Sequence, residues 1–571
     1  MTVHTCDAVV IGTGAAGYNA AIRLTQLGVK TAIVTEGVNM GTSRNTGSDK
    51  QTYYKLGLSG DSPDSVRQMA QNLFDGGCVD GDNALCEAAL SARCFLNLCE
   101  LGVEFPTNRY GEYVGYKTDH DPFARATSAG PLTSKMMTEA LEKKAKELSI
   151  EVFDGHRAVQ ILKNGDRACG VLCLWGGEKV AFRCRDVVMA TGGPGGIYAD
   201  SVYPVCHTGS SGLAVFAGAK MQNLSLWQYG LASVLPRWNV SGTYMQVLPR
   251  FVSVDPDGRE HDFLWEHFED KYLGLSTVFL KGYQWPYDPQ KAEKGSSIID
   301  MLVYDQCVNK KRRVFLDYTK NPFDIDYSRL SPEAYDYLEK AGALFGTPFE
   351  RLCRMNMPAV ELYRSKGVDI AREYLEIALC AQHNNGGVAV DAWWQSSVPG
   401  LFAVGECAGT HGISRPGGSA LNAGQVGGLR AATYIAAHPG ELADMKRFEE
   451  LASVVVLGTN TDREARTCAA RRRMSDYAAA VRNREKMEAL LSLTLRELKT
   501  ARDPELRDLL ITQGAVLTAM TAPSAPPDTV TEVWWEKERF ELSTRPVRPL
   551  PRDDDFFENV WRRYREDKNV Y

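Results

Sequence analysis

The sequence predicts an α/β protein: a parallel-sheet core, an inserted α+β segment and a helical C-terminal region. Three observations carry that expectation. A short apolar strand, Cys6 to Ile11, runs into the glycine turn Gly12-Thr13-Gly14-Ala15-Ala16-Gly17 and then into a helical pattern. Two further glycine-rich strand ends, Ala190-Thr191-Gly192-Gly193 and Pro399 to Glu406, recur far downstream. From Pro236 to about Asn356 the chain is instead rich in Trp, Tyr, Pro and charge, with weak periodicity, as expected of an insertion between two parts of one fold.

The elements follow in order. Tyr18 to Leu27 carries small and apolar residues at helical spacing and stops at Gly28. A second strand, Lys30 to Thr35, ends at Glu36, and a Gly/Ser/Thr/Asn-rich loop from Gly37 to Asp49 leads to Lys50 and the pair Tyr53-Tyr54. Ser62 to Leu101 predicts helices, with Ser62 and Asp64 as caps before the first. Leu132 to Leu148 predicts another helix, Glu151 to Val180 the strands of a small sheet, and Asp186 to Ala190 a third parallel strand. The core pattern resumes near Val368 and continues to about Ala437. Long Ala/Leu/Arg/Glu segments then predict helices to about Met520, before a Pro-rich, charged tail containing Asp553-Asp554-Asp555. The expected units are residues 1–235 and 361–440 for the two parts of the core, 236–360 for the insertion and 441–571 for the C-terminal region.

Composition narrows the function classes. At 571 residues, 44% hydrophobic and 24% charged, the chain has an ordinary globular make-up. A formal charge of −6 supplies no basic field for nucleic acid, so any anionic ligand must be met by local arginines and helix N-termini. The fourteen cysteines contain no C-x-x-C pair and no Cys/His cluster of zinc spacing, and therefore predict no metal site. They read as reduced, buried thiols in a cytoplasmic protein. The first strand starts within a few residues of Met1, leaving no room for a signal peptide, and no apolar run reaches the ~18 residues of a membrane helix.

The first glycine turn has the context that dinucleotide binding demands: strand before, helix after, and an acidic residue closing the second strand about twenty residues on. Gly12 permits the tight turn, Gly14 the close approach of a pyrophosphate, and Gly17 the packing of helix on sheet. The helix N-terminus offers free N–H groups and partial positive charge, and Glu36 is placed for the ribose hydroxyls. The other two glycine motifs, spread along the chain, suit the long FAD molecule rather than NAD. The fold class is thus a Rossmann-like FAD-binding domain with an inserted α+β capping domain and a C-terminal helical region.

At these motifs the chain resembles the flavoprotein family of fumarate reductase, succinate dehydrogenase and L-aspartate oxidase. Met189-Ala190-Thr191-Gly192-Gly193-Pro194-Gly195-Gly196-Ile197-Tyr198 is similar to the family's A-T-G-G-x-G-x-x-Y stretch. Gly386-Gly387-Val388-Ala389-Val390-Asp391 resembles its G-G-[IV]-x-x-D strand. Gly405-Glu406, followed by His411-Gly412-Ile413-Ser414-Arg415-Pro416-Gly417-Gly418-Ser419-Ala420-Leu421, resembles its G-E…H-G-x-x-R-x-G-x-[NS]-x-L stretch. The resemblance implies FAD in the core fold, its ring facing the cap, with a carboxylate-bearing substrate between. It implies that Arg415 grips the substrate carboxylate, that Glu406 meets the ribityl or ribose region, and that Ser419, Ala420 and Leu421 lie along the flavin. The expected cofactor contacts are Gly12, Gly14, Ala15, Ala16, Gly17, Glu36 and Gly37; Thr42, Ser43 and Gly47 of the loop; Thr191, Gly192, Gly193, Ser211 and Asn384; and Gly405, Glu406, Ser419, Ala420 and Leu421.

Four departures from the family pattern bear on the reaction. Gln382 stands where the family has a histidine, with His383 one position later. Gln228-Tyr229 is followed by Gly230 rather than histidine. No arginine occupies Lys294 to Ile299, ahead of the Phe315-Leu316-Asp317 strand, where fumarate reductases keep their proton donor. Gly41 to Gly47 holds no histidine to link a flavin, so FAD is expected to be non-covalent.

Reducing an activated C=C bond needs hydride on one carbon and a proton on the other, so an acid must face the substrate. Lys50, Tyr53, Tyr54, Tyr229, Tyr283, Lys294 and His383 could serve, and the Asn45–Tyr54 loop is the most suggestive. The expected catalytic set is Arg415, His383, Lys50, Tyr53 and Tyr54. Asp119-His120-Asp121 reads as a capped turn before a helix rather than a metal site, and Trp393-Trp394 as packed aromatics. The leading expectation is reduction of a C=C bond in a small acid or enone other than fumarate. An amino- or hydroxy-acid oxidase and an electron-transfer subunit of a larger reductase are the alternatives. The electron donor, a small molecule or a partner protein, is open.

Overall fold

A computed structural model describes residues 1–60, 63–207, 209–552 and 556–567. Ser62 and Asp553-Asp554-Asp555 lie outside these described residues. The first helix of the 62–101 stretch, Val66–Phe74, is capped by Ser65, whose side chain accepts from Gln68 N–H. Asp64 instead binds Arg125 at 2.7 and 2.9 Å.

The core is a five-stranded parallel sheet in the order Leu401–Ala403, Asp186–Met189, Ala8–Ile11, Thr31–Val34, Glu151–Phe153. The four strands other than the edge strand Glu151–Phe153 are buried along their whole length, which explains their unbroken apolar runs. The Ala15–Gln26 and Ser419–Ala437 helices lie against each other through small residues. They are tied by Asn19 Nδ2 to Gln425 O at 2.8 Å and Gln425 Nε2 to Ala15 O at 3.1 Å. This pairing across four hundred residues of sequence brings two helix N-termini to the same side of the sheet.

The inserted region forms a six-stranded antiparallel sheet with its own core around Trp238, Tyr244, Leu316 and Tyr363. Its strands Trp227–Ser233 and Leu375–Asn384 pair with each other and connect the insertion to the core fold on both sides. A bulge interrupts their register. Gln228 faces His383, but Tyr229 faces Ala381, so Gln382 is the extra residue.

The C-terminal helices Met445–Ser453, Arg463–Tyr477, Arg484–Thr500 and Pro504–Thr521 agree with the expected helical region. The tail differs. Thr529–Glu536 and Arg539–Pro546 form a hairpin that is half of a separate four-stranded antiparallel sheet, with Val533 opposite Met221. All fourteen cysteines are free thiols. Among the described residues no helix is long and apolar enough to cross a membrane.

Candidate active site

Both helix N-termini open into one cavity of about 1200 Å³. The Ala15–Gln26 helix starts at Gly14 without a side-chain cap and without an acidic residue in its first turn. The Ser419–Ala437 helix starts behind Gly418 in the same uncapped, acid-free way. Each offers N–H groups and positive partial charge to the cavity. Gly12 takes φ 111°, and a Cβ there would lie 2.5 Å from Ala190 O. A Cβ on Gly17 would lie 2.1 Å from Gly12 O, so the turn and helix fit only with glycine at both places.

Most of the expected cofactor residues line this cavity: Gly12, Gly14, Ala15 and Ala16; Glu36 and Gly37; Thr42, Ser43 and Gly47; Thr191 and Gly192; Gly405, Glu406, Ala420 and Leu421. Glu36 pairs with Arg157, which also lines the cavity and reaches Glu505 of the C-terminal helices at 2.7 Å. Five do not reach it. Gly17 packs against the turn, and Gly193 backs Glu406, whose Oε1 would lie 2.3 Å from a Cβ there. Ser211 is buried at the start of the short Gly212–Phe216 helix. Asn384 is fully buried, its N–H donating to Glu406 Oε1 at 3.3 Å and its Nδ2 to Leu224 O at 3.2 Å. Ser419 turns into a separate small pocket. These residues support the wall rather than face the ligand space.

Arg415, 9% exposed, lines the same cavity. Its Nη2 donates to Gln228 Oε1 at 2.6 Å, its Nε has no partner, and it forms no ion pair among the described residues. Burial pulls its pKa down to about 10, with Glu406, Tyr203 and Glu87 offsetting part of the shift. A buried guanidinium held by one side-chain amide and by a long bond, 3.5 Å, from Nη1 to Pro416 O lacks the carboxylate such a group normally requires.

His383 reaches the same cavity because of the bulge: with Gln382 as the extra residue, both side chains line the ligand space instead of alternating across the sheet. Asn385 Oδ1 lies 2.9 Å from His383 Nδ1, and Asn385 Nδ2 donates to Ile413 O at 3.4 Å, which sets the amide's orientation. His383 Nδ1 therefore carries the proton, and Nε2, buried without a hydrogen-bond partner, is a free acceptor. Burial, then Arg415 and His411, hold the ring well below the usual histidine range and so keep it neutral. Glu406 Oε1 lies 3.6 Å from that Nε2 and accepts from Tyr203 OH; burial raises its carboxyl to about 7.

The remaining expected donors divide. Lys50 is exposed at the cavity. Tyr53 and Tyr54 are fully buried away from it, contrary to the expectation that both stand ready as donors, because each is taken by other packing. Tyr53 sits among Phe95 and Phe105 with its hydroxyl 3.3 Å from Asn422 Oδ1, and Tyr54 OH joins Arg125 and Asp121. Tyr229 OH is spent on Tyr198 at 3.2 Å, Tyr283 OH on Glu333, and Lys294 is exposed outside the cavity. Arg44 pairs with Glu142. The Asp119-His120-Asp121 turn lines the cavity mouth and leads into the short strand Ala126–Ser128, not a helix.

Sequence reading missed a buried polar cluster behind Arg415. Glu87, Thr410, His411 and Ser419 line a small closed pocket, and the His411 ring lies 4.9 Å edge-on from His383. Thr410 Oγ1 donates to Glu87 Oε1 at 2.8 Å, and burial raises the Glu87 carboxyl to about 8. Glu87 thus binds in the folded state a proton that the unfolded chain releases near pH 4.5. Its contribution is fully present below that pH and is lost as pH rises through about 8. Glu87→Gln is expected to flatten the fall in melting temperature of the apo-protein between pH 6 and pH 8.5; an unchanged slope would show that Glu87 stays ionised.

The donor set fits FAD: an uncapped helix N-terminus behind a glycine turn, a second uncapped N-terminus in the same cavity, the acidic side chain of Glu36, and the orphaned Thr191 Oγ1. Comparison with known proteins agrees. The FAD binding domain family matches residues 7–421. The chain is 24% identical over 444 residues to a component of the fumarate reductase (CoM/CoB) of Methanothermobacter marburgensis, covering 75% of this chain and 72% of that one. It is 25% identical over 537 residues to the L-aspartate oxidase of Mycobacterium leprae, covering 91% and 90%. Among solved structures, Mycobacterium smegmatis Sdh1 in complex with UQ1 shares the fold at a TM-score of 0.72 and 19% identity, over 99% of this chain and 98% of that one. An E. coli quinol fumarate reductase FrdA variant does so at 0.70 and 18%, over 97% and 99%. The chain belongs to the FAD binding domain family and is an FAD-dependent oxidoreductase of the fumarate reductase, succinate dehydrogenase and L-aspartate oxidase kind.

Proposed function

We propose that the protein reduces an activated C=C bond in a small carboxylate- or carbonyl-bearing molecule other than fumarate. The observation that carries this reading is Arg415, a buried cation without an anionic partner among the described residues, facing the cavity. FAD, when bound, supplies hydride chemistry at its N5. Arg415 holds the substrate carboxylate as a planar fork and is itself aimed by Gln228. His383 accepts a hydrogen bond at Nε2 and orients the substrate. Lacking a proton on that atom, it is not the acid. Lys50, at the cavity, is the sequence-predicted donor left to deliver the proton. FAD is held without a covalent bond: no histidine lies in 41–47, and His207, the histidine beside that loop, has Nδ1 against Thr42 Oγ1 and Nε2 against Gly193 O. Repeated turnover draws electrons from an external donor, a small molecule or a partner protein. Cytoplasmic residence fits the free cysteines.

A second reading, oxidation of an amino acid, has support from the likeness to L-aspartate oxidase along nearly the whole chain and from the unprotonated His383 Nε2, which could take a proton from an ammonium group. Oxygen reactivity separates the two. The dithionite-reduced holoenzyme should reoxidise faster with an unsaturated carboxylate under argon than with air alone, and Lys50→Met should slow the anaerobic reaction. Rapid reoxidation in air, together with flavin reduction by amino acids, would favour the oxidase.

A further inference from the structure

The chamber around Arg415 also specifies what the other end of the substrate is. Its cap side is built from the loop after the Lys271–Lys281 helix together with Gln246. Tyr287 N–H donates to Tyr229 O at 2.7 Å, and Gly242 N–H to Gly282 O at 2.6 Å. The first bond holds the loop against the strand that carries Gln228 and the second ties it to the turn before Gln246, and Gln246, Gln284 and Trp285 line the same cavity as Arg415. Beneath the loop, the buried Lys281 donates to Trp285 O at 2.6 Å and Gln284 O at 3.3 Å. Its charge is matched by Asp300 at 2.6 Å, and it does not line the cavity.

The other cationic side chains of the cavity are either paired with carboxylates or exposed. Arg157 is taken up by Glu36 and Glu505, Lys50 and Lys117 are exposed, and Lys291 lies between Asp119 at 3.9 Å and Asp288 at 3.8 Å. The inner histidine, His383, is neutral. Among the described residues Arg415 is therefore the one buried, unpaired cation of the chamber. Acidic groups line the cavity as well, Glu406 and Asp49 among them, and several neutral ones are unsatisfied: Gln382 Oε1 and Asn239 Oδ1 are buried acceptors without partners, and Trp285 Nε1 is a buried donor without one.

We propose that the site takes a monocarboxylate whose distal end is uncharged and both donates and accepts hydrogen bonds, such as a carboxamide or hydroxyl group. This rests on the reading of Arg415 above. A second carboxylate would be buried without a counter-charge and would point acceptors at the oxygens of Gln382 and Asn239, whereas a neutral N–H or O–H would satisfy them.

The test is titration of the FAD-reconstituted, oxidised enzyme with matched acids, read by perturbation of the flavin spectrum and by calorimetry. The pairs are fumaramate with fumarate and 4-carbamoylcinnamate with 4-carboxycinnamate. The amide of the better-bound pair should bind at least about tenfold more tightly than its diacid. Arg415→Gln should lose that binding about a hundredfold or more. Gln246→Arg should shift the preference toward the diacid, with Gln284→Arg, at a more exposed position, as the second variant. Equal or tighter diacid binding that still depends on Arg415 would overturn the proposal while sparing the role of Arg415. Amide binding unaffected by Arg415→Gln would overturn both, and no binding by any of the four acids would overturn the proposal.

Discussion

Replacing Arg415 by glutamine is expected to lower kcat/KM about a thousandfold, roughly 4 kcal/mol of transition-state stabilisation, while leaving the protein folded and yellow. The loss is large because the guanidinium is buried, already oriented by Gln228, and carries a charge that no protein carboxylate neutralises among the described residues. A substrate carboxylate would supply that missing partner, and glutamine offers neither the charge nor the fork. Stability should move the other way. The depressed pKa, about 10, means that the folded state holds the charge at a cost, so the neutral variant should melt at the same temperature or higher. Steady-state kinetics with a thermal melt checks both halves. Unchanged turnover, or a collapse of stability, would remove Arg415 from the substrate site.

Gly14→Val should give a folded protein that has lost its flavin. Gly14 has ordinary extended dihedrals, φ −74° and ψ 178°, and an added Cβ would meet only Ser43 Oγ at 3.2 Å, so the backbone tolerates a side chain. The added methyl groups would fill the space in front of the helix N-terminus, where a pyrophosphate has to approach. Flavin content should fall at least a hundredfold with the far-ultraviolet spectrum preserved. Gly17→Ala is the contrast. Its Cβ would strike Gly12 O at 2.1 Å, so the helix must move off the turn, at a cost on the order of 3 kcal/mol. A yellow Gly14→Val protein would place the phosphates elsewhere.

The parts legible in the sequence are those governed by local pattern. The Cys6-to-Glu36 stretch, the Ala190-Thr191-Gly192-Gly193 strand end and the Gly405–Leu421 run announced the parallel core because their glycines and apolar runs are imposed by turn and sheet geometry. What stayed hidden depends on long-range packing. Nothing local to Tyr53 and Tyr54 says that Phe95, Phe105 and Arg125 will claim their rings and hydroxyls. The place of His383 turns on a bulge, which is visible only once the register with Gln228 is known. The terminal hairpin lacked the usual Asn-Gly or Asp-Gly turn signal. Its turn residues are Lys537 and Glu538, both at positive φ, 49° and 59°. Glu87 reads as one more helical acid until the fold buries it beneath Thr410.

The reading of the cavity as a place where an unsaturated carboxylate is reduced is tested most directly by one anaerobic experiment. Dithionite-reduced holoenzyme, freed of excess reductant, is mixed with a panel of unsaturated carboxylates, with wild type and Arg415→Gln side by side. The expected result is flavin reoxidation with one equivalent of the saturated acid formed per flavin, fast in wild type and nearly abolished in the variant. Reduced flavin that ignores every acid and yields only to oxygen would contradict it.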